Sequence, residues 1–363
     1  MRSTAPRMAE PSLFAILLAG GTGTRFWPAS RRERPKQFLR IAGETSMLAE
    51  TRARLDSLVS PERTLVVTTD EQVELVRAEL PEIPAQNVLS EPLARNTGPS
   101  VALAALEVRR RDPSAIQIVL PADHVIRPRD KFQRSLRAAA TVAADSSSLC
   151  VFGVAPTFAA TAYGWIESGG REPTVDGMEV RAVKRFTEKP DKARALAFLA
   201  AGGFFWNSGM FVWSTEAICA ALETHMPREF AALSKNPRGN ALKSAFESFD
   251  ARSIDVAVLE RAANVRMLGI DYFWSDVGAW DALGALGSAD ASGNTACGGA
   301  ALAALDAKDC IVHGDGGSLV ALIGVDDLVV VHAGDVTLVC RRDRAQDVKA
   351  LVERLSREQP KFS

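Results

Sequence analysis

Up to about Ala289, short apolar runs alternate along the chain with longer stretches whose apolar residues recur every third or fourth position. Phe14 to Ala19 (FAILLA) is short, continuously apolar and ended by glycines, the pattern of a strand buried on both faces. Similar runs stand at Thr64 to Thr69 (TLVVTT), Ile116 to Leu120 (IQIVL) and Leu149 to Val154 (LCVFGV), with a further strand predicted at Asn87 to Leu89. Between them, Val101 to Arg110 and Phe132 to Ala144 carry helical periodicity. Strand–helix alternation of this kind predicts an α/β domain whose parallel sheet is covered by helices. Ligands on such sheets sit beyond the carboxyl ends of the strands, so the loops that follow the strands are where chemistry is sought.

Past Ala289 the texture changes. SADASGNTACGG is rich in small and turn-forming residues and reads as a boundary. Short strands follow at Cys310 to His313, Ser318 to Ile323, Leu328 to His332 and Val336 to Cys340, separated by Gly and Asp turns with no helix between them. A helical stretch from Asp343 to Leu355 closes the segment. The expected organisation is a polar tail over residues 1–12, a catalytic domain over 13–289 and a small β domain over 290–363. The spacing of its strands suggests a short left-handed β-helix, although no clean repeat is visible.

Composition narrows the function. The chain is 47% hydrophobic and 24% charged with a formal net charge of −1, an ordinary globular balance without the basic field that nucleic-acid binding needs. The five cysteines are scattered with no CxxC pair, and the four histidines are not paired at metal-ligand spacing. That pattern argues against a disulfide framework or a zinc site and points to a reducing, cytoplasmic location. No apolar run reaches membrane-spanning length, so no membrane partner is expected.

The candidate chemistry begins at Leu17 to Leu39, LLAGGTGTRFWPASRRERPKQFL. A buried strand runs directly into Gly20, Gly21 and Gly23, which let backbone N–H groups approach an anion closely. Arg25 and Lys36 add full positive charges in the same loop, suiting a triphosphate whose charge rises during attack. The competing reading is a tight strand–helix turn that is merely glycine-rich. Neither the dinucleotide G-x-G-x-x-G pattern, which Phe26 breaks, nor the P-loop pattern is present, so dehydrogenase and ATPase readings fall. The Arg31-Arg32-Glu33-Arg34 run lacks interleaved aromatics and is read as part of this loop, not as a nucleic-acid patch.

GGTGTRFWP followed by RPKQF resembles the signature loop of the sugar nucleotidyltransferases, and the PKQF form resembles the mannose-1-phosphate guanylyltransferases. The resemblance implies a Rossmann-like fold of the nucleotide-diphospho-sugar transferase type, with a mixed, mostly parallel sheet. It further implies nucleotide contacts from Leu18, Ala19, Gly20, Gly21, Gly23, Thr24 and Arg25, with Lys36 on phosphate. The substrates so implied are GTP and α-D-mannose 1-phosphate, and the products GDP-mannose and pyrophosphate.

Four later segments extend the resemblance. In LPADHVI, Asp123 follows a strand that ends at Leu120; Mg²⁺ favours one or two carboxylates plus phosphate oxygens, while a helix N-cap is the bland alternative. In FWSDVGAW, Asp276 sits among aromatics, and the resemblance implies that it joins Asp123 on one metal ion. There His124 belongs to the motif but is not a ligand. In RFTEKP, Pro190 stops a β-like run and leaves Glu188 and Lys189 at its end, suited to sugar hydroxyls and sugar phosphate unless they form a plain surface pair. In FFWNSGMFVW, Asn207 is an amide inside an apolar run and must be hydrogen-bonded, to backbone or to a sugar. The resemblance implies that Asn207 contacts the hexose and that Gly164 of AYGWIE presents backbone to it. FESFDARSIDVAVLE, Phe246 to Glu260, is also similar to the guanylyltransferase branch, with no role assigned to Asp255.

For the base, EPLARNTGPS carries Glu91, Asn96, Thr97 and Gly98 as candidates, because guanine presents donors and needs acceptors. A simple helix N-cap role for Asn96 or Thr97 is the alternative. The resemblance runs from Phe14 to Asp281. A catalytically silent relative is the rival reading; it would be expected to lack part of the set Arg25, Lys36, Asp123, Lys189 and Asp276, and all five are present. Longer members append an isomerase domain for which the stretch past Ala289 is too short, so a second activity is not expected. The β domain is expected either to pack on the catalytic domain or to mediate self-association, as in a homodimer.

Overall fold

The computed structural model describes residues 11–21, 23–41, 43–314 and 316–362, so residues 1–10 of the expected polar tail lie outside the described residues. By their internal contacts the residues form two compact units. The first comprises Met1–Leu18, Leu55–Pro121 and Arg127–Tyr272, and the second Ala19–Arg54, Ala122–Ile126 and Phe273–Ser363.

The first unit is built on a nine-stranded sheet. From edge to edge its strands are Val88–Glu91, Thr64–Thr69, Leu13–Leu18, Ile116–Pro121, Phe204–Ser214, Leu149–Val154, Val265–Ile270, Met178–Thr187 and Trp165–Val175. The first four are mutually parallel, as the strand–helix alternation predicts. Phe14 and Ile16 pack into a cluster with Val101 and Ala105 of the helix Thr97–Arg111, while Ala15 and Leu17, pointing to the other face, are buried as completely. Burial on both faces is why this strand reads as an unbroken apolar run.

The rest of the sheet is mixed. Phe204–Ser214 enters antiparallel to both Ile116–Pro121 and Leu149–Val154. Trp165–Val175 and Met178–Thr187 form a hairpin across Asp176-Gly177, whose φ values of 47° and 76° are those of a two-residue turn with both central residues left-handed.

The second unit contains parallel strands stacked at a nearly constant interval. Ala301 stands beside Leu319 and Ile311 beside Val329, eighteen residues on in each case. Thr295–Cys297 stacks parallel on Ile311–Gly314, and Val336–Arg341 closes the sheet antiparallel to Leu328–Ala333. This is the coil of a short β-helix. The sequence pattern misses Thr295–Cys297 and Ala301–Leu305, because they are short or alanine-rich and the latter is mostly exposed. Its closing helix is Val348–Glu358, entered through a 3-10 turn at Arg342–Asp347.

The core of this second unit does not stop at the β-helix. Phe26, Trp27 and Leu39 from the glycine-loop segment pack in one cluster with Val277, Trp280 and Leu283, with Ile311, Val329 and Val331 of the coil, and with Val348 and Val352 of the last helix. In space the glycine-loop segment thus belongs with the β domain, although the linear composition sets them apart at residue 289.

Candidate active site

The loop after Leu13–Leu18 is shaped by a close approach. Gly23 has φ +60°, and a Cβ there would lie 2.3 Å from Lys36 Cβ, so only glycine combines the left-handed backbone with room for Lys36. The loop is tied by Gln37, a buried amide that donates to the Ala19 carbonyl at 2.8 Å and the Gly21 carbonyl at 3.0 Å. Ser30 Oγ donates to the Gly23 carbonyl at 2.7 Å. These bonds leave Gly21 exposed with open space around it. Thr24 and Arg25 follow in a single 3-10 turn, and half-buried Arg25 has no carboxylate or hydrogen-bond partner among the described residues. An arginine held in a glycine loop without a counter-ion is suited to an incoming anion.

Lys36 itself is turned inward. Its Nζ donates to Asp123 Oδ2 at 2.9 Å and to the Asp276 carbonyl at 2.5 Å, and it lies 5.5 Å from the centre of the Phe26 ring. Only 5% of the residue is exposed, so the ammonium exchanges its water for these partners. The short strands Val125–Arg127 and Phe273–Ser275 pair, which brings the two distant aspartate motifs to the same lysine. Val277, a buried β-branched residue at φ +45°, accepts an unusual backbone conformation directly after Asp276, and its N–H is held by Ser275 Oγ at 3.0 Å.

Burial works against ionisation of Asp123, yet the Lys36 ammonium outweighs it and holds the carboxyl below its ordinary range. His124 is pushed down, by burial first, so it stays neutral at physiological pH. Trp274 Nε1 donates to His124 Nδ1 at 3.3 Å, which leaves its proton on Nε2. Among the described residues no three His, Cys, Asp or Glu side chains cluster as a closed metal cage. The Asp123 carboxylate and the Asp276 carbonyl meet at Lys36, and oxygen donors of this kind suit a hard divalent cation that completes its shell with phosphate oxygens and water.

A second constellation lies in the first unit. Asn207, 8% exposed, donates its backbone N–H to the Gly164 carbonyl at 2.8 Å. Its Nδ2 donates to Asp255 Oδ1 at 2.8 Å, and its Oδ1 accepts from the Gly209 N–H at 3.2 Å. A Cβ on Gly164 would meet Glu188 Oε2 at 2.6 Å and Asn207 Cβ at 3.2 Å, so the missing side chain is what lets these groups converge. Glu188 and Lys189 are ion-paired at 2.5 Å but face differently: the Glu188 side chain is 14% exposed and that of Lys189 is 62% exposed. Strand Met178–Thr187 ends just before them, and Lys189 takes φ +44°. Burial, then the nearby Glu188 carboxylate, push Asp255 up to about 7. Asp255 and Gln37 are polar residues here to which motif reading assigns no role; Asp255, a carboxylate between Ile254 and Val256, carries a signal in the sequence, whereas Gln37 beside Lys36 carries none.

The base-reading candidates divide. Glu91 ends the strand Val88–Glu91, is buried, accepts from Ser100 Oγ at 2.7 Å, and is pushed up to about 7 by burial. Asn96 caps the helix Thr97–Arg111, its Oδ1 accepting from the Thr97 N–H at 2.8 Å. Thr97 Oγ1 accepts from the Ile254 N–H at 3.0 Å, and the Gly98 N–H donates to the Arg252 carbonyl at 3.0 Å. The side chains of Asn96 and Thr97 are therefore engaged structurally.

A family model described as Nucleotidyl transferase matches residues 14–292, and one described as MannoseP isomerase/GMP-like beta-helix domain matches residues 301–355. The chain is similar to the mannose-1-phosphate guanylyltransferase of Escherichia coli, with 38% identity over 96% of this chain and 74% of that protein. It is similar to the alginate biosynthesis protein AlgA of Pseudomonas aeruginosa, with 36% identity over 94% of this chain and 72% of that protein. A solved structure from Thermus thermophilus, described as a mannose-1-phosphate geranyltransferase, superimposes with TM-score 0.87 at 34% identity, covering 95% of this chain and 99% of that one.

Proposed function

The chain belongs to the mannose-1-phosphate guanylyltransferase family of nucleotidyl transferases, and on that premise we propose that it transfers GMP from GTP to α-D-mannose 1-phosphate, releasing pyrophosphate. The observation that carries this reading is the buried Lys36 ammonium held on both the Asp123 carboxylate and the Asp276 carbonyl. A buried ammonium beside a carboxylate supports a site that takes a polyanion and a cation together.

In this reading a sugar-phosphate oxygen attacks the α-phosphorus of GTP in line with the departing pyrophosphate. The nucleophile is already anionic, so no general base is required, and positioning with charge neutralisation supplies the catalysis. Backbone N–H groups from Leu18 to Thr24 and the Arg25 guanidinium take the triphosphate, with Lys36 on the transferring phosphate. Asp123 and Asp276 would hold Mg²⁺, whose chemistry is to neutralise charge on the phosphates. Glu91 and the backbone of Asn96, Thr97 and Gly98 face the base; Gly164, Glu188, Lys189 and Asn207 take mannose 1-phosphate.

Along the linear sequence we keep a catalytic domain over 13–289 and a β domain over 290–363, although the compact units divide the chain differently. Five unpaired thiols fit a reducing cytoplasm. Among the described residues no helix is long and apolar enough to cross a membrane. The β-helix turns Leu305, Leu319 and Ile323 outward at 61%, 66% and 71% exposure, and this apolar face supports a homodimer. Sedimentation equilibrium checks that assembly. The reaction itself is tested by pyrophosphate release from GTP, ATP, UTP and dTTP against several hexose 1-phosphates with Mg²⁺. Release with GTP and mannose 1-phosphate at a kcat/KM above every other pair is the expected result, and no release from that pair defeats the reading.

A further inference from the structure

We propose that Asp255 is a positioning residue for hexose recognition, acting through Asn207. The inference rests on the reading above that Asn207 contacts the hexose of a hexose 1-phosphate.

A terminal amide has two nearly isosteric ends, and an asparagine left to itself can present either one. Asn207 cannot. Its Nδ2 is committed to Asp255 Oδ1 at 2.8 Å and its Oδ1 to the Gly209 N–H at 3.2 Å. The remaining Nδ2 hydrogen and the second Oδ1 lone pair are then fixed in direction, which is what discrimination among hydroxyl epimers requires. Asp255 is the partner that sets the orientation of the nitrogen end, because its Oδ1 accepts from Nδ2 as a carboxylate and keeps a carbonyl acceptor when the group is protonated.

The support for that carboxylate is itself stiff. Asp255 opens the wide helical turn Asp255–Leu259, whose Ala257, Val258 and Leu259 are buried in the core of the first unit. The turn is closed by the Glu260 N–H donating to the Asp255 carbonyl at 2.9 Å. Wide turns of this type insert an extra residue into a helix and recur at functional sites. Here the turn gives one segment two tasks. Its first residue holds the Asn207 amide, and Glu260 Oε1 at its end accepts the Glu188 N–H at 2.9 Å. The two groups assigned to the sugar are thereby braced from one rigid element, and a misplacement of about 1 Å in such groups is costly.

The test is a set of substitutions read by separate KM values for mannose 1-phosphate and GTP. Asp255→Ala and Asp255→Leu remove the acceptor, the second while keeping side-chain volume in case the first does not fold. Both are expected to raise the sugar-phosphate KM about tenfold or more and to change the GTP KM by less than about twofold. Asp255→Asn retains an acceptor oxygen and is expected to recover most of the loss. In the Asn207→Ala background, Asp255→Ala adds nothing further, since the two act as one unit. A sugar-phosphate KM within twofold of wild type, parallel rises in both KM values, an Asp255→Asn protein as impaired as Asp255→Ala, or additivity with Asn207→Ala each overturns the inference. If the wild type releases no pyrophosphate with any hexose 1-phosphate, the underlying reading falls and this inference with it. An active wild type with an unaffected Asp255→Ala protein overturns the inference alone.

Discussion

Gly23 and Lys36 are so close that a single methyl group on Gly23 would lie 2.3 Å from the Lys36 Cβ. That contact, with φ +60° at Gly23, makes the position intolerant of any side chain. Gly23→Ala is expected to destabilise by about 1–3 kcal/mol through the left-handed backbone and the clash. Gly21→Ala meets open space at normal φ and should cost less than about 1 kcal/mol. Denaturant unfolding of the two variants checks the contrast, and equal losses would contradict it.

Lys36, Asp123 and Asp276 are expected to behave as one unit. Asp123→Asn and Asp276→Asn should each lower kcat by roughly a hundredfold or more, with the double variant far short of the product of the two effects. Chelation of divalent cations should abolish pyrophosphate release, and Mg²⁺ should restore it in the wild type but not in the double variant. Full activity in chelator would remove the metal from the proposal.

Glu91 gives a pH signature. Burial raises its folded-state pKa from 4.5 to about 7, so the protonated form suits the fold better than the unfolded chain does. The associated stability is complete below about pH 4.5 and is lost as pH rises through 7. Glu91→Gln removes the titration. Relative to wild type, the variant should gain stability between pH 5 and 8, by up to about 3 kcal/mol. Thermal unfolding of the pair across that range is the check; a constant difference would show that Glu91 titrates normally.

Trp280 holds the glycine-loop segment to the core of the second unit. It is fully buried, its Nε1 donates to the Trp27 carbonyl at 2.9 Å, and its ring lies 4.9 Å from that of Phe26. Trp280→Ala should cost about 3–5 kcal/mol. Because Phe26 lies beneath the Lys36 ammonium, kcat should fall as well. Unfolding and pyrophosphate release measured on one preparation test both effects, and loss of stability with intact kcat would separate Trp280 from the loop.

The residues of the chain by themselves marked five of the nine strands of the first unit's sheet and nominated the loops in which chemistry is proposed. A strand buried on both faces must be apolar throughout, and phosphate chemistry demands glycine, arginine and lysine in one loop, so FAILLAGG and RPKQF carry their meaning locally. The β-helix was legible from the spacing of its strands, but Thr295–Cys297 and Ala301–Leu305 were not, and the eighteen-residue stacking leaves no strict side-chain repeat. Only the tertiary structure decided the partners. That Lys36 joins Asp123 to Asp276, that Asn96 caps a helix, and that Asp255 holds Asn207 are contacts between residues far apart in sequence or with several local options. Such pairings arise from how packed elements bring buried polar groups together, and each group must find a partner wherever the fold supplies one.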